Sequence, residues 1–315
     1  MNSLASSVSS PAHSVESVAF ESPWLNSILG RLSAYKELAK PRIALLVVFA
    51  VAVGTLLASE GNWHPWTMVH ASIGVLLAVI ASSSFNQLYE RRTDSLMPRT
   101  QNRPLPSARL YPLEVFCLAL FCTICSFAYL MVLVNALTAW LTLLTTVLYA
   151  GCYTPLKRYT SLCTVVGAIP GALPPVLGWT AVRGDLDWGA FALFAIMFVW
   201  QFPHFLAIAW IYRDQYERAG LFMIPGRGRP GIIGGVSAGY ALVLIPVSLL
   251  PVQLGLAGDL YGLVAVVLGI LYAWSSLQFQ QEESRQRARM VLWISLLYLP
   301  GVLAALTLDH CRLLS

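Results

Sequence analysis

Between the second and third apolar stretches of this 315-residue chain stands the segment Asn86-Gln-Leu-Tyr-Glu90-Arg-Arg-Thr-Asp94, in which an amide and two carboxylates recur at every fourth residue. On a helix that interval aligns the three side chains along one face. Two carboxylates so placed repel each other unless a cation or basic partners stand between them. A hard ion such as Mg²⁺ suits the arrangement, because it takes oxygen ligands, keeps several waters and is commonly completed by substrate phosphates. Arg99 and Arg103 follow, with forked donors that match phosphate oxygens, and Pro98 and Pro104 end the helix and shape the loop. The plainer alternative is a solvated helix end whose carboxylates pair with neighbouring arginines.

Two further polar clusters accompany this one. The first runs Tyr153-Thr-Pro-Leu-Lys157-Arg158, where the basic pair either anchors a membrane surface or binds an anion. The second runs Trp200-Gln201-Phe-Pro-His204-Phe, then Arg213-Asp214-Gln-Tyr216-Glu217-Arg218. Asp214 and Glu217 supply carboxylates three residues apart. Gln201 and His204 lie in an apolar run, where polar side chains are expensive and become functional candidates.

The elements that position these clusters follow from composition. Hydrophobic residues make up 57% of the chain and charged residues only 11%, against about 25% charged in soluble domains. So few charges cannot cover a water-exposed surface, and the same numbers exclude disorder. The expected fold is all-α: a polytopic membrane bundle of about nine transmembrane helices, since unpaired backbone is too costly in lipid. The spans fall near Ile43–Ser59, Thr67–Leu88, Leu113–Val134, Thr138–Tyr153, Leu162–Ala181, Gly189–Tyr212, Gly231–Pro251, Leu260–Leu277 and Met290–Leu308.

Eighteen of the twenty basic residues lie on one side of this arrangement, with only Arg183 and Arg312 opposite. The positive-inside rule then puts the N-terminus in the cytoplasm, with a central cavity open to that side. Residues 1–30, Ser-rich and without Lys or Arg, read as a flexible cytoplasmic tail with neither transit-peptide nor signal-peptide character. Residues 31–312 read as one intramembrane domain, most simply at home in a bacterial inner membrane. The net charge of +5 does not indicate nucleic acid, because the basic residues sit at span ends. Five of the six cysteines lie in or beside apolar runs, where a thiol packs as a small hydrophobe; Cys122 and Cys125 form a CxxC without a second pair.

Acidic and basic clusters thus share one membrane surface above a bundle rich in Gly, Pro, Trp and Phe. This combination implies an amphipathic substrate, with a diphosphate head at the rim and a hydrocarbon tail among the helices.

At these residues the chain resembles the intramembrane UbiA-type prenyltransferase superfamily, and within it the branch that farnesylates haem. The resemblance rests on Asn86–Asp94 with Arg99-Thr-Gln-Asn-Arg103-Pro-Leu, Tyr153-Thr-Pro-Leu-Lys-Arg, Gly167-Ala-Ile-Pro-Gly-Ala-Leu-Pro-Pro and Trp200-Gln-Phe-Pro-His204-Phe, and it extends from Lys40-Pro41-Arg42 to the last span. It implies transfer of a farnesyl group from farnesyl diphosphate to a vinyl group of haem b, giving haem O, with Mg²⁺ as the ion and a haem A synthase as a possible downstream partner. By position it implies that Asn86, Glu90, Asp94 and Asp214 hold the metal and act in catalysis. It further implies that Arg99, Arg103, Lys157, Arg158, Tyr153, His204, Gln201, Tyr216 and Glu217 contact substrate. Aromatic faces such as those of Tyr89, Tyr153 and Trp200 could stabilise an allylic cation.

The chain departs from the superfamily pattern in three places. Glu90 stands where Asp is commoner, Arg218 stands four residues after Asp214 where a second Asp is usual, and Cys163 replaces an Asn common in the haem branch. The competing readings are prenylation of an aromatic or quinone-precursor acceptor, and non-catalytic binding or transport of a prenyl diphosphate.

Overall fold

The structure, a computed structural model, describes residues 23–62, 64–226 and 229–315. Residues 1–22, most of the expected tail, and Arg227 lie outside the described residues. A first helix, α1 (Pro23–Leu38), covers the remainder of that tail. Among the described residues nine helices are long and apolar enough to cross a membrane: α2 (Pro41–Ala58), α3 (Pro65–Asp94), α4 (Pro112–Leu133), α5 (Ala136–Leu156), α6 (Cys163–Arg183), α7 (Trp188–Ile211), α8 (Ile232–Gln253), α9 (Asp259–Gln281) and α10 (Arg285–Leu314). No strand occurs among the described residues. Large apolar side chains stand outward around the bundle, among them Leu45, Trp66, Leu113 and Val132. Such a belt suits lipid and not water. The protein is a multi-pass membrane protein.

Most spans begin where the sequence punctuates them. Proline occupies the first turn of α2, α3 and α4, where its missing N–H costs nothing. Asn135, Asp187 and Ser284 cap α5, α7 and α10 by accepting backbone N–H groups. Helix α3 has 30 residues and is about 45 Å long, well beyond a hydrocarbon core of about 30 Å. Its last two turns, Asn86–Asp94, therefore project past the apolar zone with the helical register intact.

A close crossing joins α2 to the second half of α6. A Cβ added at Gly54 would stand 1.9 Å from the Pro175 carbonyl oxygen, and one at Gly178 would stand 2.1 Å from that of Val51. Small residues let two backbones approach in lipid, where packing rather than water expulsion holds helices together. Gly178→Val is expected to lower the thermal midpoint of the detergent-solubilised protein by the equivalent of at least about 1–3 kcal/mol of overpacking. Gly239→Ala, with no heavy atom within 4 Å of its added Cβ, is expected to leave the midpoint unchanged or raised. Equal melting of the two variants would remove this crossing from the account.

The interior of the bundle is completed by Trp179, Tyr261, Tyr272 and Tyr298, all essentially inaccessible. At the basic end α1 lies against the start of α4: Arg31 Nη2 donates to Glu114 Oε1 at 2.8 Å, the Tyr35 hydroxyl donates to the same oxygen, and Ala34 and Leu38 pack on Leu105, Leu110 and Val115.

Candidate active site

Asn86, Glu90 and Asp94 line one cavity of about 440 Å³ at the basic end, as their spacing requires. Each meets a partner from another segment. Lys157 Nζ donates to Glu90 Oε1 at 2.7 Å, and Arg103 Nη1 donates to Asp94 Oδ2 at 2.8 Å. Lys40 Nζ stands 3.5 Å from Asn86 Oδ1, while Asn86 Nδ2 donates to Thr154 Oγ1 at 3.2 Å. Basic partners thus offset the repulsion between carboxylates. The other Asp94 oxygen, Oδ1, is buried with no hydrogen-bond partner among the described residues.

Lys157 and Tyr153 reach the cavity because α5 changes pitch. Residues Leu148–Tyr153 form a π-helical segment, a rare form that occurs often at functional sites. It directs both Tyr149 and Tyr153 into the cavity, and Lys157 Nζ lies 4.3 Å from the Tyr153 ring centroid. Burial opposes the charge on Lys157, but Glu90 beside it raises its pKa well above the ordinary lysine value. Lys40 lies just before α2 with φ 46°, a left-handed conformation unusual for a side-chain-bearing residue. Its pKa is lowered, with burial as the chief cause.

Arg99 and Arg103 hang into the cavity from the loop after α3. The Arg99 guanidinium lies 4.7 Å from the Tyr212 ring centroid and donates to the Tyr216 hydroxyl at 3.2 Å. Met97, Tyr216, Ala219 and Leu221 pack together and join this loop to the one after α7.

A second cavity of about 330 Å³ continues into the bundle. Lys40, Ile43, Tyr149, Tyr153 and Phe205 line both, so these residues form the neck between a polar chamber and an apolar one. Val47, Ala50, Val75, Leu177, Met197 and Trp200 wall the inner chamber, and His204 lines it as well. The His204 ring stacks on Trp200, and its Nδ1 lies 2.7 Å from Ser295 Oγ. Ser295 Oγ already donates to the Leu292 carbonyl at 2.6 Å. Both Ser295 contacts are satisfied in the neutral tautomer with the proton on Nδ1, which leaves the lone pair on Nε2.

Five expected site residues are placed elsewhere. Asp214 and Glu217 line a neighbouring pocket of about 560 Å³ with Arg213, Arg229 and Glu283, away from Asn86, Glu90 and Asp94. The cause is a break at Tyr212 (φ −108°, ψ 16°), after which the short helix Arg213–Arg218 starts afresh. Asp214 is 67% exposed beside Arg213, and only Tyr216 of that helix also lines the polar chamber. Gln201 is buried between helices: Nε2 donates to the carbonyls of Ala168 and Met197 at 3.1 and 2.9 Å, and a Cβ on Gly171 would stand 2.1 Å from Oε1. Arg158 and Tyr89 stand together in a groove on the other side of α3 and α5, with the guanidinium 4.9 Å from the tyrosine ring centroid. Cys163 packs on Met223 and lines neither chamber.

Sequence reasoning missed Lys40, Tyr149 and Phe205 as site residues. By position Lys40 is one of the basic residues at span ends, and its usable signal is its place before Pro41, where a proline restrains the preceding backbone.

The sequence matches the UbiA prenyltransferase family over residues 47–297. The chain belongs to that family. Protoheme IX farnesyltransferase of Koribacter versatilis is 41% identical over 290 residues, which cover 89% of this chain and 94% of that protein. The enzyme of the same name from Myxococcus xanthus is 41% identical over 279 residues, with 87% and 93% covered. Among solved structures, one described as digeranylgeranylglyceryl phosphate synthase superposes with a TM-score of 0.77 at 14% identity, covering 90% of this chain and 99% of that one. A UbiA homolog from Archaeoglobus fulgidus bound to GPP and Mg²⁺ gives 0.62 at 15% identity, with 87% and 99% covered. As a UbiA-family prenyltransferase, this protein presents a charged chamber joined to an apolar one, which matches a diphosphate head carrying a hydrocarbon tail.

Proposed function

We propose that this protein transfers the farnesyl group of farnesyl diphosphate to a vinyl group of haem b, releasing diphosphate and forming haem O, at the cytoplasmic side of a bacterial inner membrane. The observation that carries the reading is the two-chamber cavity, which holds carboxylates and cations on one side of a five-residue neck and apolar walls on the other. The choice of acceptor draws on the relatives that bear that activity in their name and align along nearly their whole length.

The donor set fits a hard cation. Asn86, Glu90 and Asp94 offer oxygens only, and one of them, Asp94 Oδ1, is buried and unpartnered. Among the described residues no group of three or more His, Cys, Asp or Glu is placed to hold a metal ion. The protein therefore supplies few ligands and leaves the remainder to diphosphate and water, a pattern that suits Mg²⁺. Bound there, Mg²⁺ would supply Lewis-acid neutralisation of the diphosphate oxygens.

The chain's own cations do the same from fixed positions. Lys157, Arg103, Arg99 and Lys40 line the chamber and stabilise charge as the C1–O bond breaks and its electron pair leaves with diphosphate. The apolar chamber holds the tail and excludes bulk water, which would otherwise capture the allylic cation. Tyr149 and Tyr153 at the neck present ring faces to that cation. Attack by the vinyl π pair then forms the carbon–carbon bond and moves the positive charge to the vinyl carbon beside the porphyrin, where a single water adds and loses a proton to give the hydroxyalkyl side chain of haem O. His204 lines the inner chamber together with Ser82, Ser83, Thr142 and Thr145 and offers a polar contact for the acceptor. Asp214 and Glu217 lie outside this set and serve diphosphate binding only if the loop after α7 turns them inward.

Lys40→Met is expected to raise KM for farnesyl diphosphate about tenfold through loss of one charge-assisted contact, with KM for haem b unchanged. A KM for farnesyl diphosphate within error of the parent value would remove Lys40 from the diphosphate set. The acceptor is tested by offering membranes farnesyl diphosphate with haem b or with 4-hydroxybenzoate. Farnesylated haem alone is the expected product; farnesylated benzoate with unchanged haem would transfer the reading to a quinone-precursor acceptor.

A further inference from the structure

On the opposite side of α3 and α5 from the reaction chambers lies an open groove of about 940 Å³, bounded by α3, α4 and α5. It shares no lining residue with either chamber. Its walls are apolar and face the lipid zone: Leu113 is 73% exposed, Val147 51% and Phe116 44%, and Phe85 meets Phe116 edge to face at 6.1 Å. Its mouth at the basic end carries Arg91, Arg92 and Arg158. Among the described residues no carboxylate lines the groove, and none of the three arginines makes an ion pair. In a chain that uses charge sparingly, three uncompensated guanidinium groups over an apolar trough form an amphipathic cradle of one sign.

We propose that this groove is a binding site for an anionic phospholipid, with the phosphate on Arg91, Arg92 and Arg158 and the acyl chains along α3, α4 and α5. Charge complementarity selects the head group: a zwitterionic lipid offsets its phosphate with its own cation, whereas an anionic one leaves a net charge for the arginines. The location selects lipid over the acceptor, because a molecule lying there is separated by α3 and α5 from the polar chamber proposed to take the diphosphate. The groove also touches the chemistry indirectly. Ala150 and Gly151 line it from the same π-helical segment whose Tyr149 and Tyr153 line the reaction neck. A lipid in the groove buttresses that segment from behind, so the anionic lipid acts as an activator as well as a ligand.

The decisive experiment counts lipids retained by the purified full chain in native mass spectra, after reconstitution in phosphatidylcholine with or without phosphatidylglycerol. Wild-type protein is expected to retain phosphatidylglycerol and shed phosphatidylcholine. Arg91→Gln/Arg92→Gln/Arg158→Gln is expected to weaken that preference on the order of a hundredfold, from about 1 kcal/mol per basic residue. Gly151→Leu keeps every charge and has room, since its Cβ meets only Val147 Cγ1 at 4.0 Å. It is expected to lose the lipid by filling the trough. Indifference of wild type to head-group charge, or retention unaltered by both variants, overturns the proposal. Haem titrations that weaken in the triple variant while lipid retention stands would make the groove an acceptor site instead. Retention is read without turnover, so this test fails or succeeds separately from the farnesyl-transfer reading. The activating role is read afterwards as wild-type turnover that rises with phosphatidylglycerol and a Gly151→Leu turnover that does not.

Discussion

Asp94→Asn is expected to abolish haem O formation, with turnover down by on the order of 10²–10³ or more, the size of effect that follows loss of a key electrostatic stabiliser. Asp94 is wholly buried, with Oδ2 on Arg103 and Oδ1 unpartnered. The substitution keeps the shape of the side chain and its contact with Arg103 but removes the charge that would hold a metal. Arg103 is 21% exposed at its side chain, so its charge stays solvated and the folding cost is small, about 1 kcal/mol. The expected result is a protein that melts within a few degrees of wild type, still binds the apolar tail, and does not turn over. Chromatography of extracted haem together with thermal denaturation checks both halves. Near-normal turnover in this variant removes Asp94 from the metal site.

Lys157→Met carries the second large effect, and here stability and chemistry must be separated. Lys157 is buried with Glu90, and removal of one partner of a buried ion pair costs about 3–5 kcal/mol because the other charge is left uncompensated. Turnover is also expected to fall by about 10²–10³ through loss of a cation from the leaving-group chamber. The double variant Lys157→Met/Glu90→Gln removes both charges and is expected to recover most of the thermal stability while remaining inactive. The cycle of single and double variants isolates the coupling. Recovered turnover in the double variant would show that Lys157 serves only to neutralise Glu90.

The two predictions rest on residues that the sequence made legible in different ways. The Asn86–Glu90–Asp94 line could be read from spacing alone, since a four-residue interval on an uninterrupted helix has one structural outcome. The span boundaries were legible to within a few residues except at both ends of α10, which runs Arg285–Leu314 against the expected Met290–Leu308, and at the end of α3. There the apolar signal stops near Leu88 while the helix continues to Asp94, because the last turns leave the lipid and gain polar residues without losing their hydrogen-bond ladder.

Elsewhere local order failed as a guide. Lys157 and Arg158 are neighbours in the turn after α5, yet Lys157 lines the polar chamber and Arg158 the groove on the other side of α3 and α5. Asp214 belongs by sequence to an acidic motif, but the break at Tyr212 resets the helix direction and leaves it outside the chamber. Gln201 resembles a functional polar residue in lipid; what it satisfies is two backbone carbonyls across a close contact at Gly171. The π-helical segment that brings Tyr149 and Tyr153 to the neck has no composition signal of its own. These features depend on tertiary packing, which spacing along one chain does not encode.

The central claim is tested most directly by incubating the purified protein with haem b, farnesyl diphosphate and Mg²⁺ and separating the extracted haems by reversed-phase chromatography with mass detection. The account predicts a new, more hydrophobic haem that carries the farnesyl group, appears only with both substrates and is lost when EDTA replaces Mg²⁺. Unchanged haem b in the presence of folded protein, with diphosphate neither bound nor released, would contradict it.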